Sequence, residues 1–313
     1  MTWKDALNDY QNYLRLERGL SDNSINSYLS DLKKLWSYLE EFNTDVGPDK
    51  IGAETLQEYL YDKARSLKPR SQARLVSSLK GFFAYIQFEK YRNDNPTSLL
   101  ESPRLGRKLP DTLSFKEIVK MIDILKNKRH NLETAGNLQH PDYHILLRNE
   151  AILETLYSCG LRVSELTHLR LSDLFFEEGF IRVHGKGNKQ RYVPVTALAM
   201  KCILEYLDSG RTQLNIAHGH EDIVFLNRRG KQLTRAMIFT LIRQTAAQAD
   251  IKKKISPHTF RHSFATHLLR GGADLRAIQQ MLGHESITTT EIYMHLDRTD
   301  LKRSILEHHP RND

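Results

Sequence analysis

The sequence predicts a mainly α-helical chain that carries one small antiparallel β-sheet or hairpin and folds as two domains. Three observations carry this. Apolar residues recur at steps of three and four over most of the chain. One stretch, residues 179–195, alternates at a step of two around a glycine-rich turn. A segment rich in proline and basic residues interrupts the helical pattern near residue 106. At 313 residues, two domains are the natural expectation, and each can bury a core.

Residues 1–90 read as about four helices. In "SINSYLSDLKKLWSYLEEF", Ile25, Leu29, Leu32, Leu35, Trp36 and Leu39 form one stripe. Ser21 is placed to cap that helix. "VGPDKIG" then breaks the periodicity, and "AETLQEYLYDKARSL" and "RSQARLVSSLKGFFAYIQF" resume it. Pro69 stands at the start of the last helix, where its missing N–H costs nothing. The stretch "NPTSLLESPRLGRKLPDTLS" lacks apolar periodicity and holds Pro96, Pro103 and Pro110, so it reads as a linker. Ser114 and Glu117 form the S-x-x-E capping box of a helix over 114–128. "KRHNLETAGNLQHPDYH" reads as a polar loop with His130, His140 and His144, and a helix over 145–158 follows, stopped by Gly160.

In the alternating stretch, Phe180, Arg182 and His184 face one way and Ile181 and Val183 the other, with Gly185-Lys186-Gly187-Asn188 supplying the turn. The rest reads as helix. Ser256 and Pro257 start one segment, with Phe260, Phe264, Leu268 and Leu269 as its expected apolar stripe. A helix over 274–282 ends at Gly283-His284, and a new one begins near Ser286.

The net charge of +8 is unevenly placed. Through residue 106 there are 15 Lys+Arg against 15 Asp+Glu, and after it 31 against 23. A basic second domain points to a polyanionic partner, nucleic acid first. Two cysteines, Cys159 and Cys202, without a C-x-x-C pair or clustered Cys/His spacing, argue against a disulfide scaffold or a metal site. The first residues hold no apolar signal core and no 18-residue apolar run occurs, so an intracellular, most simply cytoplasmic, protein without membrane attachment is expected. Lys63, Arg65, Lys68, Arg70, Arg74 and Lys80 form a basic run, ordinarily just a solvated face; taken with the motifs below, Arg70, Arg74 and Lys80 are candidate contacts to a polyanion.

Six residues suit one chemistry. Arg162 follows a glycine stop, with Glu165 three residues on and therefore on its face; taken alone, such a pair is ordinarily a weak surface ion pair. Lys186 sits at the hairpin tip. His258 and Arg261 are neighbours on a helix start, whereas His262 and His267 read as structural. His284 follows a glycine able to take positive φ, and Tyr293 lies nine residues later behind three threonines. Two arginines, two histidines, a lysine and a tyrosine fit phosphoryl transfer to the tyrosine, because guanidinium groups match paired phosphate oxygens and the transition state gains negative charge.

"GLRVSEL", "HGKGNKQR", "HTFRHSFATHLL" and "LGHESITTTEIYMH" resemble the tyrosine recombinase (phage integrase) family, nearest its bacterial Xer-type branch. The resemblance implies a SAM-like, DNA-clasping core-binding domain over 1–105, a linker over 106–112, and a mixed α/β catalytic domain over 113–313 with a tail helix. It makes Tyr293 the nucleophile, Arg162 and Arg261 the phosphate arginines, Lys186 the acid that protonates the leaving 5′ oxygen, and His258 and His284 the proton-handling and phosphate-binding histidines. Glu165 matches a supporting acidic position. It implies no metal, ATP or other cofactor. The implied partners are double-stranded DNA, three further protomers in a homotetramer or a heterotetramer with a related recombinase, and a DNA translocase as activator. The implied biology is chromosome dimer resolution, with a mobile-element integrase or excisionase, or a type IB topoisomerase-like enzyme, as rivals. The loop over 129–144 looks longer than in compact relatives. Tails like that after Tyr293, with Leu296, Leu301, Ile305 and Leu306, dock on a neighbouring subunit in the family; packing on its own subunit is the alternative.

Overall fold

The computed structural model describes residues 1–42, 46–103, 111–185, 189–283 and 305–311. Contacts divide the chain into two units, Met1–Lys108 and Leu109–Asp313. Most of the expected 106–112 linker lies outside the described residues.

The first unit holds four helices among the described residues: α1 (Trp3–Leu16), α2 (Asp22–Glu41), α3 (Ala53–Ala64) and α4 (Pro69–Phe88). Local chemistry sets their ends. The Thr2 side chain accepts from the Asp5 N–H at the start of α1, and Pro69 occupies the first turn of α4. Ser21 stands at the N-cap of α2, but its hydroxyl pairs with Ser24 at 3.0 Å rather than capping a backbone N–H. The predicted α2 stripe is buried apart from Trp36, which is half-buried, and it packs with Tyr10, Leu56, Tyr59, Phe82, Phe83 and Ile86. A polar tie crosses this core. Buried Asp31 on α2 accepts from Arg74 at 3.0 Å and from Ser78 at 2.9 Å, both on α4.

In the second unit, α5 (Phe115–Thr134) opens with the predicted capping box: Ser114 N–H donates to Glu117 Oε2 at 2.7 Å, and Glu117 N–H donates to Ser114 Oγ at 3.3 Å. The helix runs six residues beyond the expected 128, and α6 begins at Pro141 rather than 145 and ends at Cys159. The expected polar loop over 129–144 is therefore mostly helix. Ion pairing explains it: Arg129 bonds Glu133 one turn on at 2.8 Å and buried Glu150 of α6 at 3.1 Å, and Tyr143 donates to Glu133 at 3.1 Å. His140 caps α6 by accepting from the Asp142 N–H at 3.1 Å, so that histidine has a structural task. No His/Cys/Asp/Glu group suited to a metal occurs among the described residues.

From Glu150 to Cys159 helix α6 is buried all round, and it packs against α5, α8 (Ala197–Glu205) and α10 (Pro257–Gly271). Beside it lies an antiparallel sheet of order β1-β2-β3: β1 (Leu174–Phe175), β2 (Phe180–His184) and β3 (Gln190–Pro194). The two expected strands pair, with Ile181 opposite Val193 and Arg182 opposite Tyr192, while residues 186–188 of the expected turn lie outside the described residues. The two-residue β1 is too short to show alternation in the sequence. The short α7 (Val163–Thr167), α9 (Arg235–Gln248) and α11 (Leu275–Leu282) complete the unit. On α10 the expected stripe holds for Phe260, Phe264 and Leu268, but Leu269 is exposed; it sits half a turn from Phe260.

The described end of the tail packs on its own unit. Ile305 is buried in that unit's core, and His309 Nε2 donates to the Tyr157 carbonyl at 3.0 Å. Arg311 pairs with buried Glu154. Leu306 is exposed, and Leu296 and Leu301 lie outside the described residues. No helix among the described residues is long and apolar enough to cross a membrane.

Candidate active site

The site grows from the end of α6. Gly160 adopts φ 57°, the left-handed conformation that ends a helix and suits glycine. A Cβ there would meet the Phe264 ring at 2.4 Å, so the missing side chain lets α10 approach the turn. One helical turn before Phe264, Arg261 points back at that turn and donates to the Gly160 carbonyl at 2.8 Å. Arg162, the N-cap of α7, follows two residues after Gly160.

Glu165 is the centre. It is buried, and it accepts from the Arg162 backbone N–H at 2.8 Å and from Arg162 Nη1 at 2.8 Å. Arg191 on β3 grips both carboxylate oxygens, at 2.7 and 2.8 Å. Arg261 Nη1 stands 3.9 Å from the same carboxylate. The pair expected at a surface is thus an interior cluster of three guanidinium groups around one carboxylate, with two positive charges in excess. Side-chain exposure rises from 7% for Arg261 through 14% for Arg191 to 36% for Arg162, so Arg162 offers the open face.

Burial pushes the Glu165 carboxyl up, but hydrogen bonds and charge from Arg191 and Arg162 more than offset it and hold it below the ordinary range. Burial, with Arg162 and Arg191 nearby, brings Arg261 down to about 9 against the pull of Glu165. It stays cationic at neutral pH.

The cluster also closes α11. Helix C-termini leave carbonyls without intrahelical partners. Here Met281 O accepts from Arg191 Nε at 2.8 Å, Leu282 O from Arg261 Nη2, and Gly283 O from Arg162 Nη2 at 2.8 Å. Gly283 takes the positive φ its position predicted, 61°.

The structure therefore brings together Arg162, Glu165 and Arg261. His258 is exposed on the first turn of α10, three residues before Arg261. His262 is exposed, and His267 Nδ1 is hydrogen-bonded with Tyr157 Oη at 2.8 Å, a structural contact as expected. Lys186, His284 and Tyr293 lie outside the described residues. In the first unit Arg70, Arg74 and Lys80 are exposed on α4, though Arg74 is engaged by Asp31.

Arg191 is the residue that sequence reasoning passed over. Its signal was present: alternation puts it on the face of Val193, opposite Val183, and both valines are buried. An arginine on the core-facing side of a strand requires a buried partner.

A helical first unit, a mixed second unit and a buried arginine cluster closing a helix define a class. The chain belongs to the phage integrase family: the model described as "Phage integrase family" matches residues 112–300, and "Phage integrase, N-terminal SAM-like domain" matches residues 7–90. It is similar to the tyrosine recombinase XerD of Chlorobaculum tepidum, at 40% identity over 310 residues, covering 99% of this chain and 97% of that one. It is 38% identical to the tyrosine recombinase XerD of Oceanobacillus iheyensis, covering 98% of each. Among solved structures, the XerH site-specific recombinase bound to palindromic difH substrate in a post-cleavage complex matches at 26% identity and a TM-score of 0.68, covering 92% of this chain and 81% of that one.

Proposed function

We propose that the chain is a site-specific tyrosine recombinase that cuts and rejoins DNA through a 3′-phosphotyrosine link, serving chromosome dimer resolution of the Xer type. The observation that carries the reading is the Arg162–Arg261 pair, set round Glu165 at the end of the helix leading in sequence to His284 and Tyr293. Family membership, and full-length similarity to tyrosine recombinases, support it.

In this reading Tyr293 Oη attacks the scissile phosphorus and the 5′ oxygen leaves, taking its proton from Lys186. Arg162 and Arg261 bind the non-bridging oxygens and stabilise the charge that develops on them. A phenol of pKa about 10 is only about one part in a thousand ionised near neutrality, so a neighbour must accept its proton, and His258 has that role. His284 adds a further donor to the phosphate. A 5′ hydroxyl from a partner duplex then attacks the phosphotyrosine link, so the bond energy is conserved and no ATP is needed. Arg70 and Lys80 in the first unit contact backbone phosphates, and strand exchange takes place in a tetramer on two duplexes, alone or with a related recombinase and a translocase activator. The SAM-like match in the first unit favours a recombinase over a type IB topoisomerase.

The test is the Tyr293→Phe chain. It should bind its duplex as tightly as the parent and yield no denaturation-resistant protein–DNA adduct. An adduct that persists in this variant assigns the nucleophile elsewhere.

A further inference from the structure

Arg191 makes three hydrogen bonds, one from each guanidinium nitrogen, and all end within the protein: two on Glu165 and one on the Met281 carbonyl. Its side chain also lies against Gly283, where an added Cβ would meet Cδ and Nη1 at 3.2 Å. All three of its nitrogens are used within the protein, and its side chain is 14% exposed against 36% for Arg162. Arg191 belongs to β3, which follows β2 with Lys186 between them in sequence, and it reaches the last turn of α11 from there.

Two consequences follow. A carboxylate facing only Arg162 and Arg261 would draw both guanidinium groups onto itself, in competition with a phosphate. With Arg191 present, one forked partner satisfies an acceptor site on each oxygen, and the cluster keeps two positive charges in excess rather than one. The same side chain joins β3 to the end of α11, where it takes the Met281 carbonyl beside the Leu282 and Gly283 carbonyls held by Arg261 and Arg162. We propose that Arg191 is a positioning residue for DNA strand cleavage, offsetting Glu165 so that Arg162 and Arg261 remain available to the scissile phosphate while tying β3 to the end of α11. This rests on the recombinase reading.

The experiment uses the full chain and a nicked duplex built on the sequence that the chain itself enriches from a random duplex pool. Single-turnover adduct formation and duplex affinity are measured side by side. Arg191→Met should slow adduct formation by about 100-fold, the scale of losing one transition-state charge contact, with affinity changed by no more than about threefold. Arg191→Met combined with Glu165→Gln restores the two-charge excess and should regain about tenfold of the lost rate. A residue that merely braces the fold would show no such rescue, since removing its partner adds damage. A double variant no faster than Arg191→Met overturns the proposal, as does an Arg191→Met chain that cleaves like the parent or loses affinity and rate equally. If Arg191→Met does not fold, Arg191→Lys decides: an ammonium cannot span both carboxylate oxygens and the Met281 carbonyl, so cleavage should fall about tenfold, and parental cleavage refutes the idea. A parent chain that forms no adduct counts against the recombinase reading itself, which separates the two failures.

Discussion

Arg162 Nη2 donates to the Gly283 carbonyl at 2.8 Å, joining residues 121 positions apart. The contact links the start of α7 to the peptide that precedes His284. Arg162 also holds Glu165 through both its backbone and its side chain, so its guanidinium plane is set from two sides.

Arg162→Lys keeps one charge but loses the planar fork. Adduct formation should drop by about 100-fold or more, while duplex affinity moves little, because one donor aimed at a developing oxyanion is worth about 3 kcal/mol in the transition state. Rate and affinity measured on the same duplex check this. Equal losses in both would make Arg162 an ordinary binding residue.

Gly160→Ala should lower the stability of the second unit by about 2 kcal/mol, since the new methyl overpacks the Phe264 ring and the left-handed backbone disfavours it. Because Arg261 donates to the Gly160 carbonyl, cleavage should weaken too. Denaturant midpoints provide the first number and adduct rates the second; a neutral substitution would mean that α6 and α10 separate freely at this turn.

The basic face of α4 divides into two kinds of residue. Arg74→Ala leaves buried Asp31 with Ser78 and with Lys34 at 3.7 Å, so thermal stability should fall by about 1–3 kcal/mol. Arg70→Ala has no such tie to break and should reduce duplex affinity and the slope of its salt dependence by about one counterion. Melting curves and titrations over a salt series distinguish them. An unchanged slope for Arg70→Ala would remove it from the DNA-facing set.

His309 makes tail docking sensitive to acid. Burial, with His267 nearby, depresses its pKa to about 4 despite its bond to the Tyr157 carbonyl. Its Nδ1 accepts from the Arg311 N–H at 3.2 Å, so the folded chain needs the neutral ring. An unfolded histidine takes up a proton below about pH 6.5. Stability is therefore full above about 6.5 and declines as pH falls toward 4, by up to about 3 kcal/mol from this residue. Burial lowers the pKa of His267 as well, which acts in the same direction. His309→Gln should flatten the fall in melting temperature between pH 6.5 and 4; an unaltered fall would place the acid sensitivity elsewhere.

By itself the sequence determined the elements whose causes are local. Apolar spacing marked α2, α4 and most of α10, Gly160 and Gly283 marked helix ends, and the alternation about residues 180–194 marked two paired strands, though not their register. The motifs around Arg162 and Arg261 identified the family. Tertiary structure alone decided the rest. Helices α5 and α6 extend through a polar stretch because Arg129 finds Glu133 and Glu150, and polarity without its partners looks like loop. Whether Glu165 was a surface ion or a buried hub depended on Arg191, 26 residues away. That three arginines would close α11 depended on carbonyls up to 121 residues from them. Periodicity and caps act over one or two turns of chain, whereas desolvated charges are satisfied by whatever the fold brings within 3 Å, and no local pattern records that.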